Sequence, residues 1–304
     1  MNRRNLLRMS AALGAGVSLS RTALAAAQTS AQTARAAAPV NPLRVPADGI
    51  IPVAFLLSEG AVLIDFTGPW EAFLSVQANA PVRHPFRPYT VSETTGPLHV
   101  GGGLTVIPHY SIHSAPAPKV VVIPAQSEPT EPVLNWLRTT AKTADMVMSV
   151  CTGAFVLART GLLSGKEATT HHSAFGEFAL TFPDIHLKRG ARFVDLGNLA
   201  TAGGLSSGID LALHVVERYF GRAVATEAAY YLEYQGQGWM DANSNQVYAQ
   251  ARVSTDDHPL CPVCQMDVDK ASAPRSTYQG KTYYFCESEH KALFDVSPER
   301  FTSA

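Results

Sequence analysis

The sequence predicts an α/β fold, a mostly parallel sheet with helices on both faces, followed by a small C-terminal metal-binding module. Three observations lead there. Short aliphatic runs such as Val120-Val121-Val122-Ile123 are strand-sized and unbroken, as strands buried on both faces must be. They alternate with helix-like patterns, the signature of βαβ units. After about residue 242 the pattern fades into Asn, Ser, Gln and Asp, and a short cysteine-rich segment begins at Pro259.

Composition narrows the function classes. A chain of 304 residues with 46% hydrophobic and 16% charged residues can bury a large core. A net charge of −1 gives no electrostatic reason to expect nucleic acid or an anionic membrane as partner. No apolar run is long enough for stable insertion across a bilayer.

The start of the chain reads as an export signal over residues 1–25. Arg3-Arg4 precede Leu6-Leu7, a mildly apolar stretch follows, and Ala23-Leu24-Ala25 fits the small-residue cleavage rule. Paired arginines in that setting resemble a twin-arginine signal, which places the mature protein in the bacterial periplasm. Residues 26–48 are rich in Ala, Gln, Thr and Pro and read as a linker.

A domain is expected over residues 49–241. Strands are expected at Ile50–Leu57, Phe86–Glu93, Leu104–Pro108, Lys119–Pro124 and Met146–Val150. Helices are expected at Trp70–Val76, Thr130–Ala141, Gly153–Thr160 and Ser207–Phe220. Residues 242–258 read as a second linker, and 259–304 as the small module.

Cys151 stands where the Met146–Val150 run gives way to Thr152-Gly153 and a helix. A thiol at a helix start meets unpaired N–H groups that favour the thiolate, the reactive form. Against this, an isolated cysteine is commonly an inert core residue. Asp65 lies beside a Thr67-Gly68-Pro69 turn expected to lead into the first helix, where it either caps that helix or faces Cys151 across the crevice at the strand ends. If Cys151 is a nucleophile, its thiolate is expected to be populated at neutral pH, and Asp65 beside it is then protonated or shares a proton with the sulfur.

Three separated stretches, "IDFTGPWEAF", "SVCTGAFVLARTGLLSGKEATTHH" and "ATAGGLSSGIDLALHVVE", together resemble the DJ-1/PfpI superfamily over about Ile50 to Gly238. Within it the chain is similar to the branch holding isonitrile hydratases and the amidotransferase-like halves of AraC-type regulators. The resemblance implies a flavodoxin-like, class I glutamine amidotransferase-like sheet with Cys151 on a nucleophile elbow, no cofactor in this domain, and a homodimer. Peptidase- and glyoxalase-like members carry His after the cysteine; Thr152 stands there here and disfavours those activities. His171 and His172 offer either an alternative base or a loop or cap pair. The turn Ala125-Gln126-Ser127 replaces the glycine-rich turn whose amides help form an anion pocket in relatives.

In the C-terminal segment Cys261-Pro-Val-Cys264 forms a CxxC knuckle, Tyr278–Phe285 alternates around a glycine like a hairpin, and Cys286 and His290 share a helical face at i and i+4. Three sulfurs and one imidazole suit tetrahedral zinc, while Met266 nearby would favour copper(I). The competing reading is a disulfide, Cys261–Cys264 or Cys264–Cys286. With Phe294, Pro298, Glu299, Arg300 and Phe301, these residues resemble the YHS domain. His290 stands where relatives carry a last cysteine.

Two functions follow from these resemblances. One is a cysteine-dependent isonitrile hydratase-like enzyme acting on a small electrophile, with Cys151 as nucleophile, Asp65 as proton donor and Thr152 orienting a group. The other is a non-catalytic metal- or redox-stress binding protein with a metal-capturing YHS module. Transcription regulation is disfavoured, because little chain after Phe220 remains for paired helix-turn-helix units and the start reads as an export signal.

Overall fold

The computed structural model describes residues 41–304 except 79–80, 251–252 and 303–304. The expected export signal and most of the first linker lie outside them. The rest of that linker is pinned: Arg218 Nε donates to the Asn41 carbonyl at 2.6 Å and Leu43 N–H to the Arg218 carbonyl at 2.8 Å.

The large domain is the expected α/β sandwich. Its strands are β1 (Ile51–Leu56), β2 (Phe86–Ser92), β5 (Tyr110–Ser111), β6 (Val120–Ile123), β7 (Met146–Val150), β10 (Phe193–Asp195) and β11 (Leu199–Ala202). They lie in the order β10-β11-β7-β6-β1-β2-β5. Every neighbouring pair is parallel except β10 with β11. Alternation along each strand feeds two cores: Val120 and Val122 face one layer, Val121 and Ile123 the other. The first layer holds α1 (Leu63–Leu74), α5 (Ser207–Phe220) and α6 (Arg222–Tyr231). The second holds α2 (Glu131–Thr140), α3 (Gly153–Arg159) and α4 (Phe175–Thr181).

Two element assignments differ from the sequence reading. Helix α1 begins at Leu63, so Asp65 lies in its first turn and Thr67-Gly68-Pro69 is helical rather than a turn. Pro69 removes one helix hydrogen bond and its ring crowds the carbonyl four residues back, and packing of Phe66, Pro69, Ala72 and Phe73 in the core carries the helix through that cost. The Leu104–Pro108 run is not a strand of the main sheet. It supplies β4 (Thr105–Val106), paired antiparallel with β3 (Leu98–His99) in a separate two-stranded ribbon. A second short pair, β8 (Glu167–Ala168) with β9 (His186–Leu187), lies outside the main sheet as well.

The segment from 238 to 248, partly read as linker, packs on the large domain. Asp210 accepts the Trp239 amide at 2.9 Å, Arg192 N–H donates to the Ala242 carbonyl at 2.7 Å, and Asn245 N–H to the Gly190 carbonyl at 3.1 Å.

The C-terminal module is a knuckle, a hairpin and a helix. Strands β12 (Arg275–Tyr278) and β13 (Lys281–Tyr284) pair around Gln279-Gly280, both at positive φ, as a tight two-residue turn requires. Helix α7 (Ser288–Val296) and the single turn α8 (Glu299–Thr302) complete it. Its core is small: Cys261, Val263, Cys264, Val268, Phe285 and Phe294. Among the described residues no helix is long and apolar enough to cross a membrane.

Candidate active site and metal centre

The sheet order builds the first site. Strands β7, β6 and β1 are neighbours, so their carboxyl ends bring together Cys151, the Pro124-Ala125 turn and the first turn of α1, which carries Asp65. Cys151 follows β7 directly and takes φ +58°, the left-handed region that non-glycine residues adopt only at a cost of about 1–3 kcal/mol. The surroundings hold that strain in place. Cys151 N–H donates to the Gly203 carbonyl at 2.9 Å, and Thr170 Oγ1 donates to the Cys151 carbonyl at 2.9 Å. Gly153 then lets α3 start against β6: a Cβ there would stand 2.2 Å from the Ile123 carbonyl oxygen and 2.7 Å from that of Pro124. The result is a sharp strand-to-helix elbow with the sulfur at its apex.

The amides of Thr152 and Leu205 and the Thr152 hydroxyl reach the sulfur. Across from it, Asp65 is fully buried. Its Oδ2 accepts the Ala125 amide at 3.1 Å, and its Oδ1 is buried without a hydrogen-bond partner. Burial raises the Asp65 carboxyl from 3.8 to about 6, although the Ala125 amide and the Cys151 thiol favour its ionised form. Burial first, and the Asp65 charge second, push the Cys151 thiol up to about 12 against the pull of the neighbouring amides.

That corrects the expectation of a thiolate populated at neutral pH. The short helix and two amides do not offset desolvation at a position only 8% exposed. At neutral pH the pair is a protonated thiol beside a carboxylate. Asp65 does not cap α1 through its side chain either; the residue preceding that helix is Val62.

The altered turn has a visible role. Ala125 donates to Asp65 and accepts from Val62 N–H at 2.8 Å, while Gln126 Oε1 accepts the Ser58 amide at 2.6 Å. The turn thus holds the acid. His171 behaves as a cap: Ser173 N–H and Ser173 Oγ both meet its Nδ1, at 3.3 and 2.7 Å, and burial and His172 lower its pKa. The His171 and His172 rings meet tilted, 4.3 Å between centres, and His172 stacks on Tyr248 at 4.8 Å. The two histidines line a cavity of about 180 Å³ with Arg192, Asn245 and Tyr248. Thr170 and the Leu205 amide were not legible as site residues; only the fold carries them to the elbow, and Asn245 to the cavity beside the two histidines.

The second site is a cluster of four. The ligand atoms of Cys261, Cys264, Cys286 and His290 lie within 4.8 Å of one another. Cys264 and Cys286 sulfurs are 3.5 Å apart, and the His290 Nδ1 is 3.0 Å from the Cys286 sulfur and 3.8 Å from that of Cys261. Ligands about 2.3 Å from a tetrahedral ion stand roughly 3.8 Å from each other, so the set fits one soft metal ion. The His290 Nε2 faces Glu287 Oε1 at 3.1 Å, the outer carboxylate that fixes Nδ1 as the ligand atom. Cys261 is pushed well below the usual thiol range by its hydrogen bond with the Cys264 thiol, which favours the metal-binding form. All the cysteines are thiols rather than disulfides. Met266 is outside this set; its side chain is exposed and its carbonyl accepts the Cys261 amide at 2.9 Å.

The two domains touch. A Cβ on Gly176 of α4 would stand 2.3 Å from the Val263 carbonyl oxygen of the knuckle, and Leu180 of α4 packs against the module core.

Comparison with known proteins agrees with both halves. The DJ-1/PfpI family model matches residues 52–218, and the YHS domain model matches 261–304. The chain is 32% identical over 187 residues to an isonitrile hydratase of Pseudomonas putida, covering 60% of this chain and 78% of that one. It is 25% identical over 177 residues to the HTH-type transcriptional regulator GbdR of Pseudomonas aeruginosa, covering 57% of this chain and 48% of the regulator. Among solved structures, a THiJ/PfpI family protein from Pseudomonas syringae superposes with a TM-score of 0.55 at 26% identity, covering 64% of this chain and 78% of that one. Drosophila melanogaster DJ-1beta does so with 0.53 at 18% identity, covering 62% and 100%, a likeness of fold. The elbow cysteine, the sheet order and the family match lead to one conclusion: the chain belongs to the DJ-1/PfpI family and carries a C-terminal YHS domain.

Proposed function

We propose that this protein is a cysteine-dependent hydratase that converts an isonitrile to an N-substituted formamide, with Cys151 as nucleophile and Asp65 as proton carrier. The observation that carries the reading is the fully buried Asp65 carboxyl beside the elbow thiol, with one oxygen lacking a partner. An orphaned buried carboxylate oxygen costs stability, and groups held at such a cost cluster at functional sites. Similarity to an isonitrile hydratase supports the substrate class.

The reaction suits a protonated thiol. As the Cys151 sulfur bonds to the terminal isonitrile carbon, Asp65 takes the thiol proton and delivers it to the same carbon. The product is a thioimidate, R–N=CH–S–Cys151. Water adds to that carbon, the nitrogen gains a proton, and the C–S bond breaks to release R–NH–CHO and the thiol. The Thr152 and Leu205 amides hold the sulfur as charge develops on it. Thr152 also orients the thiol through its hydroxyl.

In the C-terminal module Cys261, Cys264, Cys286 and His290 would hold a zinc or copper(I) ion, which supplies the module's structural cross-link. The reading places the mature protein in the periplasm after twin-arginine export. The test is formamide release from a small isonitrile by the purified chain. Turnover lost in Cys151→Ser and Asp65→Asn supports the reading; no turnover by the parent chain overturns it and leaves the binding-protein reading, which the deep burial of the Cys151 thiol favours.

A further inference from the structure

Helix α4 is a wall shared by the two domains. Its inner side is anchored in the large domain by Phe178, fully buried and edge-on to Phe155 at 5.1 Å. Phe155, Thr152 and Glu177 line one groove of about 220 Å³ together with the Gln126-Ser127-Glu128 turn. That groove therefore runs beside Thr152, whose amide reaches the Cys151 sulfur. The outer side of α4 carries the knuckle. The backbone of Val263 comes so close to Gly176 that no side chain fits between them, and Leu180 packs into the module core. Glu177, on the groove, feels the charges of both His290 and Glu287.

The module itself has little to hold it besides an ion. Two of its six buried core residues, Cys261 and Cys264, are members of the ligand cluster. Without an ion, three sulfurs and an imidazole crowded within 4.8 Å offer no cross-link, and a segment of this size loses its order. The seat of Val263 on Gly176 then goes with it.

From this shared wall we infer that metal occupancy of the C-terminal module governs access to Cys151 through α4: the loaded module holds the helix that walls the groove beside Thr152, and the metal-free module releases it. The inference rests on metal binding at the four-residue cluster but not on the isonitrile reaction.

The experiment follows alkylation of Cys151 by iodoacetamide in the full chain, resolved by peptide mass spectrometry so that the other cysteines do not interfere. Zinc-loaded and chelator-treated protein are compared at one pH. Labelling of Cys151 is expected to quicken by about fivefold or more on chelation and to slow again when zinc is restored, as local opening equilibria respond to lost packing. The variant Gly176→Ala, which keeps the ligands, is expected to retain about one zinc by elemental analysis yet label faster than the parent, because its methyl group lifts the knuckle. A Cys151 rate that changes by less than about twofold on chelation overturns the inference. So does a Gly176→Ala protein that labels like the parent, or a chain that holds no ion at all. Because no substrate is used, absence of isonitrile turnover leaves this outcome unaffected.

Discussion

The Asp65 carboxylate accepts the Ala125 amide hydrogen at 3.1 Å, so the residue that departs from the family's glycine-rich turn holds the buried acid in place. The bond needs only a backbone N–H, which alanine supplies as well as glycine. Its strength is set against a large desolvation cost, and the cost wins: the carboxyl sits at about 6 instead of 3.8.

A carboxyl with a raised folded-state pKa holds its proton more tightly when folded. Its stabilising contribution is present below about pH 4 and is lost as pH rises through 6, amounting to about 3 kcal/mol by neutral pH. Asp65→Asn keeps an acceptor for Ala125 and removes the charge. Denaturant melts should show it more stable than the parent at pH 7.5, with the gap closing near pH 4. A gap that does not vary with pH would rule out burial of charge as its cause.

The Cys151 thiol, raised to about 12, should alkylate more slowly than free cysteine at pH 7 to 8. Its rate should climb with pH well beyond the point where an ordinary thiol levels off. Because the Asp65 charge is the second cause of the shift, Asp65→Asn should move that climb to lower pH without restoring an ordinary thiol. Burst labelling of the parent at pH 7 would contradict the burial argument.

Glu287 faces the His290 Nε2 from the side opposite the ligand cluster. Glu287→Gln should weaken zinc affinity by about tenfold, while His290→Ala should weaken it further. Met266→Ala should leave zinc affinity unchanged, as its side chain is exposed. Competition with a chromophoric chelator measures all three, and a dominant effect of Met266→Ala would point to copper(I) instead.

Asp210, fully buried, pairs with the partly buried Arg192 and also accepts from Tyr234 at 2.9 Å and from the Trp239 amide. Asp210→Ala strands the guanidinium and frees the 238–248 segment, and should cost about 3–5 kcal/mol in unfolding free energy. Asp210→Asn, which retains the acceptor oxygen, should cost less.

Replacing Arg3-Arg4 by Lys-Lys should leave precursor in the cytoplasm if the start of the chain is a twin-arginine signal. Fractionation of cells expressing both forms decides it; equal periplasmic yields would remove the assignment.

The sequence by itself determined the alternation of β and α segments, the elbow at Cys151 and the Cys/His cluster of the C-terminal module. Each is a local pattern: an unbroken aliphatic run, a strand–cysteine–helix junction, a CxxC followed by cysteine and histidine at i and i+4. Local pattern misled at Thr67-Gly68-Pro69, where turn chemistry yielded to burial of the helix, and at Leu104–Pro108, of which only Thr105-Val106 pairs, in a separate ribbon. Only the tertiary structure decided the charge state of the pair. The thiolate expected at a helix start gives way to a thiol, because desolvation depends on how deeply Cys151 and Asp65 are packed, which no short stretch encodes. The same holds for Gly176. In sequence it is one glycine in a helix; in space it is the gap through which the knuckle reaches the helix that walls the groove beside Thr152, because the residues it must clear lie almost ninety positions away.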